Sequence, residues 1–343
     1  MTTFKVDEIF IDEAVNSSLL IVNSVTTGGG SIGTFTNPIA IGTDAGADNQ
    51  QISAIAIGVS AGQTNQGVGS IAIGNNAGAS GQSQQAIAIG YQVGQNNQGY
   101  RSVSIGYSSG YLNQNDNSIS LGSEAGYENQ SIYAIAIGSQ SGQYSQGDNC
   151  IAIGEIAGFI KQGNRSIAIG SNAGSTYQGS DGIGIGQLAG SVTQGNAAIA
   201  IGYQAGRIFQ KSGAIAIGYQ AGQSQQGSNA IAIGYRAGQN IQKSGAIAIG
   251  NNAGYSQQGA NSIAIGNYAG QTQQVTNSIV INAGSNWALN NSYSTQSGCY
   301  VNPIRNVTGI TIVPIDVTIP PNNFYNVAYN PTSGELIYYN SSV

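Results

Sequence analysis

Ile39-Ala40-Ile41-Gly42 is followed by Ile55-Ala56-Ile57-Gly58, Ile71-Ala72-Ile73-Gly74 and Ile87-Ala88-Ile89-Gly90, and the frame runs without insertion or deletion to Ile279-Val280-Ile281. Sixteen such motifs occur, each 16 residues after the last. A fixed short period marks an architecture in which each unit packs on its neighbours, and this period is too short for a helical hairpin. When the unit is counted from its first Ile, position one is Ile except at Val103 and position three is Ile except at Leu121. Position two is Ala, Ser or Gly until Val280. Period-two alternation puts the β-branched pair on one face of a strand and the small residue on the other. Gly recurs at position four, Gly42 to Gly266, and at position eight, Gly46 to Gly270. These glycines suit corners that need positive φ or close backbone approach. Position twelve is Gln in all fifteen complete units.

The pattern predicts an all-β chain: a parallel β-solenoid, or β-roll, of sixteen 16-residue coils. At the usual strand spacing its rod is about 75 Å long. Equivalent side chains then lie about 4.8 Å apart, so the Gln column, including Gln66, Gln98, Gln146, Gln194, Gln226 and Gln258, reads as a structural amide ladder. On hydrophobicity alone the two Ile columns are expected inside and the Gln column along the wall. The core of one chain is then thin, and Ala40, Ala56, Ala72 and Ala88 form a flat outer face against which another copy can pack. A homotrimer joined through that Ala face is the expectation.

The unit Ser262-Ile263-Ala264-Ile265-Gly266-Asn267-Tyr268-Ala269-Gly270 resembles the head repeat of trimeric autotransporter adhesins. That resemblance implies a trimeric β-roll on a bacterial cell surface. The 16-residue form with Gln-Gly in its second half is also similar to fibre and spike proteins of large DNA viruses and to phage tail fibres, which implies a virion surface. Both resemblances cover residues 39–281.

Residues 1–30 break the frame and read as an N-terminal cap or attachment segment, a candidate contact with a capsid or particle. Residues 31–282 form the repeat region. Residues 283–343 carry Trp287, five of the six prolines and short Val/Ile/Tyr runs, and read as a β-rich C-terminal tip. Met1–Glu8 lacks the basic start of a secretory signal, and no run of about 18 apolar residues predicts a membrane-spanning helix.

Composition narrows the chemistry. The 343 residues include no His and only 7% charged residues, with a net charge of -5. His-dependent triads, His metal ligands and His switches are therefore excluded, and nothing points to nucleic acid. Cys150 and Cys299 are too few for a disulfide framework and too far apart for a metal or redox motif, and both read as fillers. Acids are scattered and do not pair into a pocket. The expectation is a non-enzymatic protein with no cofactor and no metal.

Two surface features suit recognition. Tyr203, Tyr219 and Tyr235 share position five, as do Tyr91 and Tyr107, and should stack into aromatic strips able to support the sheet or to meet a host glycan or cell-surface receptor. Charge is uneven. Seven acids from Asp44 to Glu155 face one base, Arg101, whereas Lys161 to Lys243 hold six bases against Asp181. The functional expectation is a structural fibre or spike of a virus, with a bacterial trimeric adhesin head as the alternative. An ice-binding solenoid is the least favoured reading, because no position is regularly Thr.

Overall fold

A computed structural model describes residues 38–284, 298–302, 317–319, 323–330 and 335–340. The N-terminal segment 1–30 and most of residues 283–343 lie outside the described residues. Within the described region the chain winds as a parallel β-solenoid. The Ile-x-Ile triplets form one sheet, in which Ile199, Ala200 and Ile201 pair with Ile215, Ala216 and Ile217 and so on at every step of 16. Positions ten to twelve form the second sheet, where Gln210 pairs with Gln226.

Two tight turns join the sheets. Ala61 N–H donates to Gly58 O and Ser70 N–H to Gly67 O, closing four-residue turns at positions four to seven and thirteen to sixteen. The third residue of each, Ser60 and Gly69, has positive φ, as a type II turn requires. Position eleven is also left-handed, as at Asn65. It interrupts the second sheet, so only positions ten and twelve pair there.

The interior is inverted relative to the sequence expectation. Ala56, Ala72, Ala88, Ala136, Ala152, Ala200 and Ala216 at position two are fully buried, with the position-seven alanines, such as Ala61 and Ala77. The Ile columns point outward and are half-buried or exposed, Ile105 at 40% and Ile265 at 38%. The position-two Ala column is therefore the core, and it is not a free face for a second copy. Ala40 is exposed because it belongs to the first described coil.

Space decides this. A Cβ on Gly254, at position eight, would lie 3.1 Å from the Ala248 methyl and 2.6 Å from Gln258 Oε1, so there is no room between the sheets for an Ile side chain. What fills the gap is Gln from position twelve. Gln226, 0% exposed, crosses from the second sheet to the first, and its Nε2 donates to Ile215 O and to Gln242 Oε1. The Gln column runs through the inside of the rod beside the alanines, its amides bonded to the first sheet and, in most coils, to one another.

The far end of the stack closes differently. Val280 replaces Ala at position two, and Cys299–Asn302 pairs in parallel with Ile279–Asn282, which sets the buried Tyr300 beside Val280. Glu335–Asn340 then pairs antiparallel with that strand and with Asn323–Asn330, which pairs with Val317–Ile319. A larger side chain plugs the narrow interior, and the change from parallel to antiparallel order ends the repeat.

Candidate functional surfaces

The outward Ile columns make the first surface. Every coil adds two branched aliphatic side chains to a straight strip, and the regular pairing of Ile167–Ile169 on Ile183–Ile185, or of Ile231–Ile233 on Ile247–Ile249, keeps the strip in register. At about 4.8 Å per coil and about 10 Å across a three-residue strand, the face covers on the order of 750 Å². That is close to the roughly 800 Å² each partner contributes to a stable interface. Contiguous apolar surface of this extent is rare on a protein that stays alone.

The position-five tyrosines lie beside it. Tyr203 and Tyr219 stack at 5.1 Å between ring centroids, Tyr219 and Tyr235 at 5.2 Å, and Tyr91 and Tyr107 at 5.5 Å. The three pairs are near-parallel, with interplanar angles of 19°, 8° and 8° respectively. All five rings stay exposed, Gln204 Nε2 donates to the Tyr203 hydroxyl, and the Arg236 guanidinium sits 5.0 Å from the Tyr235 ring. A second group, Tyr111, Tyr127, Tyr144 and Phe159, mixes stacked and edge-on contacts. Burial raises the Tyr127 phenol pKa, and Tyr111, Tyr144, Glu124 and Glu128 push it further in the same direction.

Among the Gln residues singled out from sequence, Gln66, Gln98, Gln146, Gln194, Gln226 and Gln258 are all buried. The ladder runs from Gln178 to Gln274 without a gap, as in Gln194 Nε2 to Gln210 Oε1 and Gln258 Nε2 to Gln274 Oε1. It is interrupted upstream. Ser104 Oγ donates to Gln114 Oε1 in place of Gln98, and Gln178 Oε1, like Gln66 Oε1 near the start of the column, has no partner among the described residues. Gly182 and Gly184 stand at that second break.

Cys150 takes the position-sixteen place usually held by Ala or Ser. Its Sγ lies 2.8 Å from Gly163 O, and burial raises its pKa. Cys299 is half-buried, and both thiols are free. Arg165 and Asp181, on successive coils, form an exposed bidentate pair, and that hydrogen bond lowers the Asp181 pKa. Among the described residues no three His, Cys, Asp or Glu side chains gather to hold a metal ion, and no helix is long and apolar enough to cross a membrane.

Sequence reasoning placed the Ile columns in the core and so missed the main apolar surface. The small position-two residue and the invariant Gln together were the available signal. It also passed over position eleven, where Tyr177, Phe209 and Ile241 interrupt a column otherwise made of Asn, Gln, Gly81, Ser145, Lys161 and Thr193.

A family model described as the YadA head domain repeat matches the chain twice, at residues 66–92 and 162–173. Neither a search of curated proteins nor one of solved structures returns a match. The match supports the bacterial adhesin alternative over the viral fibre or spike, which gains no support, and with it the bacterial over the virion surface.

Proposed function

We propose that this chain is the head of a trimeric adhesin displayed on a bacterial cell surface, a non-enzymatic rod that presents repeated weak binding sites. The observation that carries the reading is the outward Ile face on a roll in which two segments match the YadA head domain repeat. Such a face is costly to leave in water, since a fully buried Ile is worth about 1.5–3 kcal/mol relative to an exposed one. Three copies packed with these faces toward a common axis remove it from solvent and leave the second sheet of each copy outside. The trimer expected from sequence is kept, with its contact moved from the Ala face to the Ile face. Three copies of any surface site then act together, which raises avidity without new contacts.

Native mass spectrometry with sedimentation tests this. The wild-type chain should run as a trimer, and Ile201→Asp with Ile249→Asp should dissociate it, because three copies would bring unpaired charges together in an apolar seam. A wild-type protein that is monomeric at micromolar concentration would overturn the proposal.

A further inference from the structure

Position eleven lies at the left-handed break of the second sheet, and its side chain points away from the interior. Asn49, Asn65, Asn97, Asn113 and Asn129 hold it in the first half of the rod, and the Asn97, Asn113 and Asn129 amides hydrogen-bond in series. Asn suits this backbone, since after Gly, which stands here at Gly81, its short polar side chain is among those that best tolerate positive φ. In the second half the column changes. Tyr177, Phe209 and Ile241 occupy it at φ 55 each, with exposures of 51%, 51% and 39%.

Each of these residues carries two penalties at once. A bulky or β-branched side chain at positive φ is strained, and a large apolar group is left in water. Ile156 and Leu188 take the same backbone conformation at position six, but they are half-buried and gain packing there. Tyr133 is exposed and left-handed at position fifteen, with Asn117 and Asn149 on either side. Strain without packing gain, repeated in line, points to a use outside the fold.

The spacing indicates what that use is. Tyr177, Phe209 and Ile241 fall on every second coil, about 9.6 Å apart, and Thr193 and Gln225 take the coils between them. The strip therefore alternates apolar and hydrogen-bonding side chains. An extended β-1,4-linked hexopyranose chain has nearly the same period for its disaccharide, because each ring is turned over relative to the last and every second sugar presents the same face. Its sugars offer apolar C–H faces and equatorial hydroxyls. Among the described residues neither the Tyr177 nor the Phe209 ring stacks on another ring, unlike the position-five tyrosines. Lys161 Nζ lies 5.6 Å from the Tyr177 ring centroid, and exposed side chains such as these change rotamer within nanoseconds. The strip is on the sheet opposite the Ile face, so it stays outside in the trimer.

We infer that Tyr177, Phe209 and Ile241, with Thr193 and Gln225 between them, form a binding track for a linear β-1,4-linked polysaccharide of the cellulose or chitin type, lying along the rod. This rests on the adhesin reading and names its ligand class. The test is calorimetric titration of the full chain with cellohexaose, chitohexaose and, as the α-1,4-linked comparison, maltohexaose. At least one β-linked oligosaccharide should bind, and the preferred one identifies the source. Phe209→Asn restores the residue type the backbone favours, so it should keep or raise the melting temperature while weakening binding roughly tenfold. Failure of both β-linked probes, equal binding of maltohexaose, or unchanged affinity in F209N would each overturn the assignment. The native mass of the same sample reports separately on the trimer.

Discussion

Replacing Gln226 with Ala should be far more damaging than its polarity suggests. Nε2 donates to Ile215 O at 2.8 Å, to Ala230 O at 3.3 Å and to Gln242 Oε1 at 3.0 Å, and Gln210 Nε2 donates to its Oε1 at 3.0 Å. Truncation strands Gln242 Oε1 inside the roll, and a buried acceptor left without a partner costs about 1–3 kcal/mol. It also empties the space between the sheets, and core truncations to Ala cost about 2–5 kcal/mol where the walls cannot collapse. The walls here are backbone ladders, so collapse is limited. A loss of about 3–5 kcal/mol is expected, a large part of a typical domain's stability. Guanidinium denaturation gives the total, and hydrogen exchange should localise the opening to coils near residue 226, because each coil packs only on its neighbours. Gln225→Ala, at the exposed neighbouring position, should change stability by no more than about 0.5 kcal/mol. If Q226A lay within about 1 kcal/mol of wild type, or matched Q225A, the interior ladder could not be what holds the two sheets together.

Glycine tolerance should divide by position. A Cβ on Gly218, at φ 125, would lie 2.6 Å from Gly234 O, so Gly218→Ala should cost about 3 kcal/mol or more in a melting experiment. Gly69→Ala, with φ 64 and nothing within 4 Å, should cost only about 1–2 kcal/mol. The Arg165–Asp181 pair gives a pH signature. Because that hydrogen bond lowers the Asp181 pKa in the folded protein, it favours folding above the unfolded carboxylate value, about 3.9. The contribution is lost as pH falls through the lower folded value. Melting curves of wild type and Asp181→Asn should therefore differ slightly and evenly above about pH 4 and converge as the pH falls below that through the folded value. A separation that persisted unchanged into acid would show that the pair is not the cause.

The rod was legible because its cause is local and repeated. Ile-Ala-Ile followed by Gly, returned every 16 residues, permits one pairing register, since a slip would set unlike side chains in every column at once. The conformations at position four and at position eight were legible for the same reason. Why Gly is needed at position eight was not. A Cβ on Gly222 would lie 2.7 Å from Gln226 Oε1, so the second Gly column exists to admit the Gln column, a dependence between positions four apart that only the coil's cross-section reveals.

Alternation determined that Ile and Ala point to opposite faces, and it could not determine which face is inside. Hydrophobicity favoured Ile and volume favoured Ala. Volume won, because a coil with two four-residue turns brings its sheets too close for branched side chains, and one Gln per coil already spans the gap. The register, the rod and the amide column were thus written in the sequence. The direction of the Ile face, and with it the surface left for other molecules, was decided by the width of the closed coil, a property that no single segment possesses.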